Sequence, residues 1–300
     1  MELTWPLRFR IAAAIAVGIL LIGLLLWPMV KTPTGYEPIS LAAGNVSFSS
    51  IASLVALAFI SGFISYFVCW PYGTQIAPLA VPAGLTVWAF RTGSLSEFYQ
   101  QNPDIQELTT IYGTLKWEPF FWLFIIAVGF AGIRAAYSVA PVKNSFLESK
   151  KRPKSNQNNY LFAVSALFAS ILISQFCIMF LARDISFADA QLGSVISQPN
   201  VGQISLAVTV SFGLAAFLIK KFLDAGYTWA ILSTAFVSFA AISLYAKEDV
   251  LKYLNQHWPA VYFSNVSVAI LPLQMVAFGT LGTIGGYWLA IKYSSWRKHA

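Results

Sequence analysis

The chain has 300 residues, 57% of them hydrophobic and only 10% charged, with a formal net charge of +7. An ordinary soluble domain carries about 25% charged residues, so a soluble core is excluded as the place where this much apolar surface is hidden. The positive charge is not gathered on a soluble basic module, which excludes the usual nucleic-acid binder, and with only Cys69 and Cys177 neither a disulfide framework nor a cysteine-based metal site is expected.

Apolar residues arrive in blocks of about 20, the length that a hydrocarbon layer roughly 30 Å thick demands of a helix. The first, Ile11 to Val30, follows Arg8 and Arg10. Its run is too long for a signal-peptide core and no small-residue cleavage site follows closely, so it is expected to be a retained helix. The second block is Ser49 to Trp70, with Ala58 and Gly62 at small-residue spacing. The third, Thr74 to Phe90, is short and holds Pro78 and Pro82; it either crosses as a broken helix or re-enters, and re-entry leaves seven crossings and inverts everything after it. Pro119 to Ala140, Tyr160 to Ala182, Val201 to Phe222, Tyr227 to Ala246 and Asn265 to Ile291 complete a set of eight.

Between the blocks, Asn102-Pro-Asp reads as an N-cap followed by proline at the first helical position, with Ile105, Leu108, Ile111, Tyr112 and Leu115 at helical spacing beyond it. Ser186 with Asp189 resembles a capping box, and Val250, Leu251, Leu254 and Trp258 form a third apolar stripe. These predict short amphipathic helices on the outer surface. Trp70, Trp88, Trp117, Trp258 and Trp296 fall where an aromatic belt would stand.

Charge gives the orientation. With eight crossings and the start inside, 13 of the 19 Lys and Arg residues fall on the inner side, whereas only Glu2, Glu148 and Asp224 of the acids do. Loops rich in Lys and Arg stay in the cytoplasm, so both termini are expected there. The run Lys150-Lys151-Arg152-Pro153-Lys154 is read as a topology anchor in the same sense.

At an offset of 156 residues, Arg91, Leu95, Gln100 and Pro103 coincide with Lys247, Leu251, Gln256 and Pro259. In both halves the matching segment follows the third of four helices. This suggests a parallel repeat of halves 1–142 and 160–300, joined by a basic loop over 143–159.

Little chemistry is evident. Only His257 and His299 are present, both outside the blocks, so no haem ligands are expected. For a metal-dependent lipid enzyme, His257 would have to join Asp184, Asp189 or Asp249, but no ligand spacing such as HExxH occurs. No phosphate-binding glycine loop appears. Ion-driven transport places ionisable groups within the membrane; Arg134 comes nearest, and it is close enough to the helix end to snorkel. What remains is neutral: Gln175, Gln203 and Gln274, with Pro78, Pro82 and Pro272 as helix breaks that free backbone carbonyls, are the candidate cavity-lining set. Gly282, Gly286 and Ala290 form a small-residue stripe on the eighth helix, suited to close packing or to a contact with a partner or second copy. Asn45-Val-Ser and Asn265-Val-Ser match the glycosylation acceptor pattern on the outer side.

The expectation is therefore an all-α integral membrane bundle in the lipid bilayer, with no cofactor, no metal site and no nucleic-acid partner. The function reading is a carrier or permease subunit for a neutral or lipophilic compound; the alternative is a non-catalytic membrane scaffold or assembly subunit.

Overall fold

A computed structural model describes residues 5–30, 38–41, 47–101, 104–142 and 156–296. The basic run 150–154, Asn45 and His299 lie outside the described residues. The helices are α1 (Trp5–Gly18, continuing as a π-helix over Ile19–Leu25), α2 (Trp27–Val30), α3 (Phe48–Val68), α4 (Gly73–Ile76), α5 (Ala80–Arg91), α6 (Leu95–Gln101), α7 (Ile105–Leu115), α8 (Glu118–Val139), α9 (Asn156–Leu181), α10 (Val201–Leu223), α11 (Tyr227–Tyr245), α12 (Glu248–His257) and α13 (Pro272–Trp296). A small antiparallel sheet orders β1 (Ser186–Asp189), β2 (Gly193–Ser197) and β3 (Tyr262–Phe263).

Six helical stretches among the described residues are long and apolar enough to cross a membrane: Trp5–Leu25, Phe48–Val68, Ile105–Val139, Leu161–Leu181, Val201–Leu223 and Tyr227–Tyr245. Their outward faces carry large apolar side chains such as Phe168, Leu172 and Phe176, which a bilayer would cover and water would not. This is the build of an all-α integral membrane protein.

Two expected blocks depart from a plain crossing helix, and both lie at the centre. The third is broken: α4 passes through a 3-10 turn at Ala77–Leu79 into α5. Pro78 sits in that turn and Pro82 in the first turn of α5, where a missing N–H costs no helical hydrogen bond. The segment begins beside Leu7, Ala14 and Cys69 and finishes at the other end of the bundle, where Arg91 stands over the Trp27 ring and Ile39 N–H donates to Thr92 Oγ1 at 2.7 Å. The eighth block begins at Pro272 and not at Asn265, because proline is suited to a first helical turn and drives the residue before it out of the helical region. Residues 264–271 are irregular and almost wholly buried. α13 itself holds Gln274, four glycines and two threonines, which lower its apolarity; its neighbours bury it on nearly all sides through its first half.

Helix contacts are close because small residues admit them. A Cβ on Gly62 would fall on the Gly129 carbonyl of α8, so α3 and α8 touch backbone to backbone. The same holds where Gly282 and Gly286 of α13 meet Thr209 and Gly213 of α10.

At the end holding Trp27 and Arg91, the polar segments form a folded cap. Leu95, Phe98 and Tyr99 of α6, Leu108, Tyr112 and Leu115 of α7, and Leu251 of α12 share one core with Phe263, Val268 and Leu271. The apolar stripes of the short helices expected on the outer surface thus pack against one another. Tyr99 donates its hydroxyl to the Leu251 carbonyl at 3.3 Å, and burial pushes its phenol up to about 12. The cap of α7 is Asp104, accepting from Gln106 N–H at 3.2 Å; Asn102 and Pro103, which looked like the start, lie outside the described residues.

Ser186–Asp189 is a strand and not a capping box. It pairs antiparallel with β2, whose adjacent Val195 and Ile196 are both buried. The turn follows from Asp189, whose Oδ1 accepts from the N–H groups of Gln191 and Leu192 at 2.9 and 2.7 Å, and from Gly193 at φ +74°. Of the expected aromatic belt, Trp70 and Trp117 are exposed, but Trp88 is fully buried and stands edge-on to Trp122.

Candidate functional site

The three glutamines are placed at the cap end, each on a protein partner. Gln175 of α9 donates through Nε2 to Ser267 Oγ at 3.0 Å. Gln274, in the first turn of α13, accepts Leu271 N–H at 3.2 Å and donates to the Ala89 carbonyl at 3.2 Å. Gln203 is more exposed and donates to the carbonyls of Leu181 and Arg183 at 3.4 and 3.2 Å. Gln175 and Gln274 do converge, but on protein: both hold the irregular stretch 264–271, joined by Gln198, which donates to the Ala269 carbonyl at 2.9 Å. Backbone that is neither helix nor sheet needs partners when buried; Gln274 and Gln198 supply two of them, at Leu271 N–H and the Ala269 carbonyl, while Gln175 holds the Ser267 side chain. Within the same stretch, Asn265 is 6% exposed and caps Ser267 N–H through Oδ1 at 2.9 Å. Of the prolines, Pro78 and Pro82 are buried in the broken third segment and Pro272 opens α13.

The stripe Gly282, Gly286 and Ala290 is used inside the chain: the two glycines seat α10, and Ala290 is buried. Gly279 faces Thr234 and Phe212, whereas Gly285 has open space beside it.

A residue that was not singled out in the sequence organises the cap end. Glu118 opens α8 and is 3% exposed. Its Oε2 accepts from Ser40 Oγ at 2.5 Å and Leu41 N–H at 3.1 Å, and its Oε1 from Trp122 Nε1 at 2.8 Å. It is the one charged residue found buried among the described residues. Three donors converging on a carboxylate offset its removal from water and hold the strap 38–41 against the start of α8. The available signal was an acid at the very start of an apolar block, followed by Pro119, with tryptophan one helical turn on.

The proposed acid–histidine group does not assemble. His257 is exposed, lies on its own helix with Nδ1 3.0 Å from the Tyr253 carbonyl, and stacks on the Tyr253 ring at 4.4 Å. Asp189 is engaged elsewhere, its Oδ2 accepting from Tyr253 Oη at 3.0 Å and Trp258 Nε1 at 2.9 Å. Hydrogen bonds, from Leu192 N–H above all and then from the Trp258 indole, Gln191 N–H and Tyr253 hydroxyl, outweigh the opposing effect of burial and hold its carboxyl at about 2. That group therefore clasps the β1–β2 hairpin to α12 as an anion, and is poorly suited to give or take a proton near neutrality. Asp184 and Asp249 are exposed, and no set of three or more His, Cys, Asp or Glu side chains suited to a metal ion occurs among the described residues. Arg134 is exposed beside the Tyr137 ring, and Cys69 is buried with its Sγ 3.3 Å from the Arg10 carbonyl.

No family model, curated protein or solved structure matches this chain.

Proposed function

We propose that this protein is a non-catalytic membrane scaffold that crosses the bilayer eight times, keeps both termini in the cytoplasm and presents its folded cap on the opposite side for assembly with a partner. The observation that carries this reading is the engagement of Gln175, Gln203 and Gln274: each is spent on protein groups at the cap end, Gln203 and Gln274 on backbone carbonyls and Gln175 on the Ser267 hydroxyl. A solute site would need such groups held back for the ligand. The stretch from Gly73 to Arg91 supports the count of eight, since it starts beside Cys69 and ends beside Trp27.

Helix pairing supports a 4+4 repeat. α3 packs on α8 as α10 packs on α13, and the third segment packs on α1 as α11 packs on α9. Across the halves, α13 meets the third segment as α8 meets α11, which is the exchange a twofold axis along the membrane normal would produce.

A carrier for a neutral or lipophilic compound is the second reading. It is favoured by the proline-broken segment at the centre and by the hydroxyls of Ser61, Ser65, Ser211, Thr280 and Thr283, which are buried with no hydrogen-bond partner among the described residues. Purification from source membranes in mild detergent is expected to yield an assembly larger than the 33.0 kDa chain. A lone monomer that also moves a neutral solute into proteoliposomes above the level of empty vesicles would replace the scaffold by the carrier.

Orientation has its own check, in a background lacking Cys69 and Cys177. Gly113 on α7 and Gly226 between α10 and α11 are both exposed with open space around them. A membrane-impermeant maleimide is expected to label Gly113→Cys in intact cells and Gly226→Cys only after permeabilisation. The reverse pattern would invert the topology.

A further inference from the structure

The end of the bundle opposite the cap is strongly basic. Among the described residues it carries Arg8, Arg10, Arg134, Lys220, Lys221 and Lys292 against the single carboxylate of Asp224. Most of these cations are covered by general topology bias, but Lys221 is set differently. Its ammonium lies 4.8 Å from the Tyr293 ring centre, 5.3 Å from that of Phe222 and 5.9 Å from that of Phe217, so rings from two helices hold it in one place. Its neighbour Lys220 pairs with Asp224 at 2.6 Å. No carboxylate of the described residues lies within ion-pair distance of Lys221.

That fixed charge terminates an apolar track. On α10, Leu206, Val210 and Leu214 recur at four-residue spacing and are 61%, 47% and 42% exposed, and the same face runs on through Phe217 to Lys221. α13 borders it with exposed Leu289 and Tyr293, the latter 6.0 Å from Phe217 ring to ring. An apolar strip about the length of an acyl chain, ended by an uncompensated cation at the helix terminus, has the layout of an amphiphile with a negative head.

We propose that this edge of α10 and α13 binds an anionic phospholipid, with its phosphodiester on Lys221 and one acyl chain along Leu214, Val210 and Leu206. The rings restrict the ammonium without neutralising it, so little side-chain freedom is lost when the phosphate arrives. A zwitterionic lipid offers the same phosphate but brings its own ammonium, and gains less.

Full-length protein in detergent, titrated with phosphatidylglycerol and with phosphatidylcholine and followed by native mass spectrometry, tests this. Phosphatidylglycerol is expected to bind more tightly, Lys221→Gln to weaken it about fivefold, and Lys221→Arg and Lys220→Gln to leave it near the wild-type value. Elution volume and thermal midpoint verify that each variant is folded. Equal affinity for the two lipids, unchanged binding in Lys221→Gln, or an equal loss in Lys220→Gln would each overturn the site.

Discussion

Glu118→Ala is expected to lower the stability of the detergent-solubilised protein by about 3 kcal/mol, because it strips a buried hydrogen-bond network of its common acceptor. Ser40 Oγ, Leu41 N–H and Trp122 Nε1 all point at this carboxylate, and all would be left without it. A buried hydrogen bond to a charged group is worth about 1.5–3 kcal/mol, and two of these three, from Ser40 Oγ and Trp122 Nε1, are buried. Glu118→Gln retains a carbonyl oxygen for one side of the network and is expected to cost less, about 1–2 kcal/mol. Thermal melts followed by tryptophan fluorescence are suited to this comparison, since Trp122 donates directly to Glu118 and stands 6.4 Å from Trp88 ring to ring. Equal midpoints for wild type and Glu118→Ala would mean that the strap 38–41 is not held by this residue.

Gly286→Leu is the second substitution with a large expected effect. At Gly286 even a methyl group would land on the Gly213 carbonyl of α10, so leucine must force the two helices apart. Overpacking of this kind costs about 1–3 kcal/mol and sometimes more, and here it strikes the pair α10–α13, which also positions Lys221 against Tyr293. The neighbouring Gly285 supplies the control, since nothing lies within 4 Å of a Cβ placed there. Gly285→Ala is expected to stay within about 0.5 kcal/mol of wild type. A Gly286→Leu protein that melts with the control would rule out the backbone contact as a source of stability.

These two residues differ in how openly the sequence announces them. The spacing of Gly282 and Gly286 marks a close helix contact by itself, because only small residues permit one. It does not name the partner: of the two uses expected for the stripe, close packing or a contact with another chain, Gly282 and Gly286 serve the first, against α10. Glu118 gives no comparable sign, since its main partner Ser40 stands 78 residues earlier in the chain. Gln274 was noticed as polar, but its acceptor at Ala89 is 185 residues away, and without that pairing a brace and a solute site look alike. Ser186 and Asp189 have the spacing of a cap, yet the hairpin is favoured by the burial of Val195 and Ile196 and by a turn that Asp189 itself closes.

By itself the sequence determined the membrane class, the approximate limits of the apolar blocks and the basic bias of one set of loops, because each reflects the local match between a stretch of chain and a hydrocarbon layer of fixed thickness. Only the tertiary structure decided that the amphipathic segments fold into a cap, that the third and eighth segments lie at the centre, and which partners the buried polar groups take. An apolar stripe reports that a face must be covered but not by what, and a buried amide or carboxylate must find a hydrogen bond wherever the fold brings one, which is a relation between residues far apart in the chain.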